Sequence, residues 1–117
     1  MEKSHPAYLE RIKSLTGKLA KEIPGPVSGF AKLHKEALAE GALSAKMKEL
    51  IALAISIADG CVGCLSNHTH NALNAGASGL EILEAIGIAI LMGGGPSMIY
   101  GAEAMDALDQ FEAKGVQ

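Results

Sequence analysis

Glycine and proline cut this chain into helix-length pieces, and that punctuation limits the folds open to it. The breaks are "PGP" at Pro24 to Pro26, Gly41, "DG" at Asp59 and Gly60, Gly76, and the triple glycine Gly93 to Gly95. Between them apolar residues recur at three- and four-residue spacing, and no stretch alternates apolar and polar residues as a half-buried strand would. Glycine closes a helix because it enters the left-handed region without a Cβ clash; proline lacks the N–H that a helix interior needs. The pattern predicts an all-α bundle of about six helices, with no internal repeat and no low-complexity tract.

The first helix is expected from about Ala7 to Glu22 and the second from Val27 to Glu40. A third, capped by Ser44, carries the apolar run "LIALAISIA", Leu50 to Ala58, which reads as buried on most sides. A fourth runs from about Cys61 to Ala75. Ser78 and Glu81 form a capping box that opens a fifth, ending at the triple glycine, and Pro96 suits the first turn of a sixth that reaches Lys114. No Lys-Ser/Thr follows the triple glycine, so it is read as a helix break and not as a phosphate loop.

At 117 residues the chain is long enough for one domain, 1–117, and too short for two. Only 3% of it is aromatic while 19 alanines and 14 glycines lie along it, so the core must be built from aliphatic and very small side chains that let helices approach closely. Met92, Met98 and Met105 are expected as core filler. The third and fifth helices look too apolar for a chain of this size to cover, so part of their surface is expected to be buried in a homo-oligomer. A net charge of −3 with scattered lysines argues against a nucleic-acid partner. No apolar leader and no uncharged run near the roughly 18 to 20 residues of a spanning helix are present, which predicts a soluble, cytoplasmic protein with no membrane contact.

"DGCVGCLSNHTH", residues 59 to 70, holds both cysteines and two of the four histidines. On a helix turning about 100° per residue, Cys64 lies about 60° from Cys61 and His68 about 20° from it, whereas His70 lies about 180° away. His70 is therefore assigned to the helix surface or an interface. Cys61 and His68 stand about 10 Å apart along the axis, too far to share one zinc ion. Cys64 and His68 could share one only with two further ligands, and His5 and His34 have no partner in the pattern. No metal site is assigned.

Redox chemistry fits this geometry better. The first turn of a helix stabilises a thiolate, and both cysteines lie there. His68, one turn after Cys64, can take its proton, while Cys61 is close enough to resolve an oxidised sulfur as a disulfide. If the third and fourth helices form an antiparallel hairpin about Asp59 and Gly60, Glu49 comes level with His70 and within a turn of His68, where a carboxylate could orient the imidazole. Simple packing of the two thiols and a solvated role for Glu49 stay open on spacing alone.

With Glu49, "CVGC" and His68 at these spacings, the chain resembles the alkylhydroperoxidase D-like branch of the carboxymuconolactone decarboxylase family. The stretches "KMKELIALAISIADGCVGCLSNHTHNALNAGAS" and "ILMGGGPSMIYG" are also similar to that family's helical core, and the resemblance spans about Val27 to Phe111. It implies a cofactor-free peroxidase that reduces a hydroperoxide with Cys64 as the attacking thiol, Cys61 as the resolving one, and His68 with Glu49 as proton relay. It further implies re-reduction by a lipoyl-bearing protein or transfer to a peroxiredoxin, and assembly as a trimer or hexamer. A lactone decarboxylase or other ring-opening enzyme using His68 as acid or base, and a non-enzymatic redox sensor, are the alternatives.

Overall fold

Six helices follow one another in the computed structural model, which describes residues 4–115; residues 1–3 and 116–117, included in the expected domain 1–117, lie outside the described residues. They are α1 (His5–Glu22), α2 (Pro24–Leu38), α3 (Ala45–Asp59), α4 (Val62–Asn74), α5 (Gly79–Gly93) and α6 (Gly95–Lys114). No strand is present among the described residues, and none of the helices is long and apolar enough to cross a membrane.

In α1 and α2 three boundaries differ from the sequence reading. α1 starts at His5 because Ser4 caps it, its side chain accepting from the Ala7 N–H at 3.2 Å. "PGP" does not separate α1 from α2: Pro24 begins α2, with only Ile23 between the helices. A proline in the first turn gives up an N–H that has no intrahelical partner anyway. α2 also ends earlier than expected, at Leu38, where Ala39 turns extended.

The core lies among α3, α4, α5 and α6. Leu53 and Ile57 of α3, Leu65 and Ala72 of α4, Ile82, Ile86 and Ala89 of α5, and Ala104 and Leu108 of α6 are all nearly inaccessible to solvent. Small residues set the helix spacing: a Cβ at Gly101 would come within 2.9 Å of the Ile86 side chain, so α6 can approach α5 only because that position is glycine. α1 and α2 lie outside this core. The one buried residue of α1 is His5, and α2 buries none.

The methionines are not core filler. Met92, Met98 and Met105 are 77%, 57% and 47% exposed, because they sit on the outer faces of α5 and α6 while alanines and isoleucines fill the inside. Likewise, only part of the run Leu50 to Ala58 is buried: Leu53, Ser56 and Ile57 face inward, whereas Ile51 and Ile55 face outward with Ile88 and Leu91 of α5.

The start of α5 is held by polar contacts. Ser78 Oγ accepts from the Glu81 N–H at 3.1 Å and Glu81 accepts from the Ser78 N–H at 2.9 Å, completing the capping box. Lys46 of α3 donates to the same carboxylate at 2.9 Å. The Ser78 backbone N–H, with the Lys46 ammonium second, holds the Glu81 carboxyl below its ordinary pKa. A depressed carboxylate stabilises the fold above its unfolded pKa of about 4.3 and loses that contribution as pH falls through the folded value. Replacing Ser78 by alanine should lower unfolding free energy by about 1 kcal/mol in urea titrations. Thermal melts of the wild type should show stability falling below about pH 4.3, and Glu81→Gln should flatten that fall.

Candidate active site

The site begins at the turn between α3 and α4. Gly60 adopts a left-handed conformation, φ 71° and ψ 34°. Its N–H donates to the Ile57 carbonyl at 3.1 Å, and the Cys61 N–H donates to the Ser56 carbonyl at 3.0 Å, a paired closure that satisfies the last carbonyls of α3. The Tyr100 ring of α6 seals the turn from outside, 3.0 Å from where a Cβ on Gly60 would stand. Backbone conformation and space both therefore demand glycine here.

Cys61 is the N-cap of α4 and not its first helical residue, a shift of one from the sequence reading. Its sulfur does what a serine or aspartate does elsewhere, accepting the Cys64 N–H at 3.1 Å. That N–H and the helix dipole stabilise negative charge on Cys61. The two cysteines are joined as a disulfide, with Cα atoms 5.2 Å apart. Cys64 is exposed and Cys61 half-buried, so a reagent reaches Cys64 more readily.

Glu49 of α3 and His68 of α4 meet directly, Nδ1 to Oε1 at 2.7 Å, their side chains only 11% and 14% exposed. The antiparallel hairpin thus brings Glu49 to His68; the spacing alone places it level with His70 and within a turn of His68. An ionised carboxylate can only accept, so His68 Nδ1 must donate, and in the neutral ring Nε2 is left as the basic nitrogen. His68 follows Cys64 by one helical turn.

Cys61, Cys64 and His68 share a cavity of about 880 Å³. Its opposite wall comes from α1, through Tyr8, Leu9 and Ile12, and from α2, through Phe30 and His34. Sequence spacing identified none of these. His34, for which no partner was apparent, lies face to face with His68, ring centroids 6.0 Å apart and planes 16° from parallel. Its placement follows from how α2 folds back, which no local pattern encodes. His70 borders the cavity but packs its ring on Phe111 of α6, centroids 4.8 Å apart, in keeping with its position off the Cys61 face.

His5 also acquires partners. Its ring hydrogen-bonds to Ser66 of α4, its backbone N–H donates to Gln110 at 2.6 Å, and its Nε2 stands 3.8 Å from Asp106. These contacts fasten the start of α1 to α4 and α6. Ligand atoms of His5, Glu103 and Asp106 lie within 4.8 Å of one another, the one group among the described residues close enough to share a cation, and none of the three borders the cysteine cavity.

Comparison with known proteins agrees with this architecture. The carboxymuconolactone decarboxylase family profile matches residues 24–107. An uncharacterised Cupriavidus necator protein is 36% identical over 105 residues, covering 90% of this chain and 93% of its own length. A Legionella pneumophila carboxymuconolactone decarboxylase family protein superposes with a TM-score of 0.89 at 38% identity, over 94% of this chain and 98% of that one. A Thermotoga maritima family member, for which an antioxidative role has been suggested, superposes with a TM-score of 0.72 at 29% identity, over 76% of this chain and 92% of that one. With a profile match over most of its length and the same six-helix fold, the chain belongs to the carboxymuconolactone decarboxylase family.

Proposed function

We propose that the protein is a cofactor-free thiol peroxidase that reduces hydroperoxides through Cys64 and Cys61, in line with the alkylhydroperoxidase D-like branch of its family. The observation that carries this reading is the convergence on one cavity of a disulfide-forming pair at a helix N-terminus and a Glu49–His68 hydrogen bond one turn away.

The chemistry follows from the arrangement. His68 Nε2 takes the proton of the Cys64 thiol, and Glu49 balances the imidazolium that forms. The Cys64 thiolate attacks the terminal oxygen of the hydroperoxide; the S–O bond forms, the O–O bond breaks, and the alkoxide leaves as an alcohol after gaining a proton. Cys61 thiolate then attacks the sulfenic sulfur, forming the S–S bond and releasing hydroxide, which leaves as water with a second proton. The two thiols supply the two electrons. An external dithiol, carried by a lipoyl-bearing protein, restores them: one of its thiols attacks the exposed Cys64 and expels Cys61 as the thiolate its N-cap position stabilises, and its second thiol then releases Cys64 and closes the donor's own disulfide; the alternative fate of the reduced pair is to pass its electrons to a peroxiredoxin.

A second copy of the chain is the natural cover for Ile51, Ile55, Ile88 and Leu91, an apolar face that a solitary domain would leave in water. Light scattering at micromolar concentration should then give a mass that is a multiple of the 12.0 kDa chain; a monomer would overturn the assembly.

Reduced protein mixed with an alkyl hydroperoxide should lose two hydrogen atoms by mass spectrometry and yield a Cys61–Cys64 disulfide, and unchanged thiols would overturn the reading. Cys64→Ser should abolish the reaction, whereas Cys61→Ser should halt it at a Cys64 sulfenic acid. His68→Ala should slow thiol oxidation about 100-fold. Long-range proton–nitrogen NMR should find neutral His68 protonated at Nδ1, a preference that weakens in Glu49→Gln, whose amide can donate as well as accept.

A further inference from the structure

The proposed reaction needs protons in two places, and the pair Glu49 and His68 accounts for one of them. His68 stands beside Cys64 and is suited to remove its proton. The leaving oxygen is elsewhere: sulfur attacks along the O–O axis, so the departing alkoxide lies beyond the attacked oxygen, within the cavity that the wall of α1 and α2 completes opposite α4. An alkoxide is a poor leaving group unless it is protonated as it departs.

On that wall stands His34. It borders the same cavity as Cys61, Cys64 and His68, is half-buried, and lies between two rings: His68 on one side, at 6.0 Å and 16°, and Phe30 one turn back on its own helix, at 6.3 Å and 50°. The other titratable groups around the cavity are Tyr8, Glu10 and Lys13 of α1 and His70 of α4, with Glu49 of α3 behind His68. Among the groups on the far wall only an imidazole ordinarily exchanges its proton near neutral pH.

We propose that His34 is the general acid of the reaction, donating its proton to the alkoxide as the O–O bond breaks. The assignment rests on the thiol-peroxidase reading and extends it. The step uses a protonated His34 across from a neutral His68, whose Nε2 accepts the proton of Cys64. After attack the Cys64 proton is on His68, and His34 has given its own to the alcohol. The proton lost by Cys64 thus equals the one gained by the alkoxide, and transfer from His68 back to His34 through solvent resets the site.

The test uses two oxidants of similar bulk that differ in their leaving group. Cumene hydroperoxide expels an alkoxide, which needs a proton; peroxybenzoic acid expels a carboxylate, which does not. Single-turnover oxidation of the reduced full chain, followed by acid quench and mass spectrometry, is compared for the wild type and His34→Gln. The substitution should slow oxidation by cumene hydroperoxide about 100-fold and leave oxidation by peroxybenzoic acid within about twofold. It should also remove the fall in the cumene hydroperoxide rate at alkaline pH that a protonated acid imposes on the wild type.

Equal slowing with both oxidants would reduce His34 to a structural element of the wall, and no slowing with either would remove it from the reaction; each result overturns the proposal while leaving the thiol chemistry intact. A wild type that neither oxidant converts to the disulfide would instead overturn the peroxidase reading itself.

Discussion

Everything at the site depends on the left-handed turn at Gly60. Because that residue ends α3 and starts the reversal in one step, α4 begins at once with Cys61 as its cap, and the two helices run back along each other in a fixed register. Eleven residues before the turn lies Glu49 and eight after it lies His68, and the register makes them meet at 2.7 Å. A longer or looser connection would leave an acidic and an imidazole side chain on neighbouring helices without joining them. Tyr100 closes the turn against α6, so the geometry of the thiol pair is tied to the packed core and not to a surface loop.

How far the fold could be read in advance follows from the range of the forces involved. Helix ends are local events, and Ser44, Gly60, Ser78 and the triple glycine announced them. "PGP" misled because proline has two local meanings, helix stop and helix first turn, and only the backbone after Pro24 decides between them. The apolar runs were also ambiguous. α5 is apolar nearly all round, so periodicity does not tell Met92 from Ile86, and only the packing of α6 over Ile86 separates them.

The site shows the same division. Cys61, Cys64, His68 and Glu49 belong to one hairpin, where short-range geometry is enough to relate them. His34 and Tyr8 come from the two helices that precede that hairpin, whose packing across it no local spacing fixes, and Phe30 stands out in the sequence only as an aromatic in a chain with few. The His5 attachment was hidden for the same reason, since its partners Ser66, Asp106 and Gln110 lie 61 to 105 residues away or in between. What a hairpin encodes locally could be inferred; what α1 and α2 bring to the opposite wall required the tertiary structure.

The two walls of the cavity also differ in how firmly they are held. α4 is fixed by buried Leu65, Ser66, Thr69 and Ala72, whereas α2 has no buried residue and α1 buries only His5. Elements with few buried contacts open at lower free-energy cost than the core, so the α1–α2 wall is the side that can yield to a bulky reagent while the thiols stay in place. α3 meanwhile divides its faces. Ile51 and Ile55 lie about 200° and 240° round from Glu49 at 100° per residue, so the apolar face that α3 shares with α5 points away from the hydrogen bond between Glu49 and His68. A cover over that apolar face and a reagent at Cys64 therefore make no competing demands on one surface of α3.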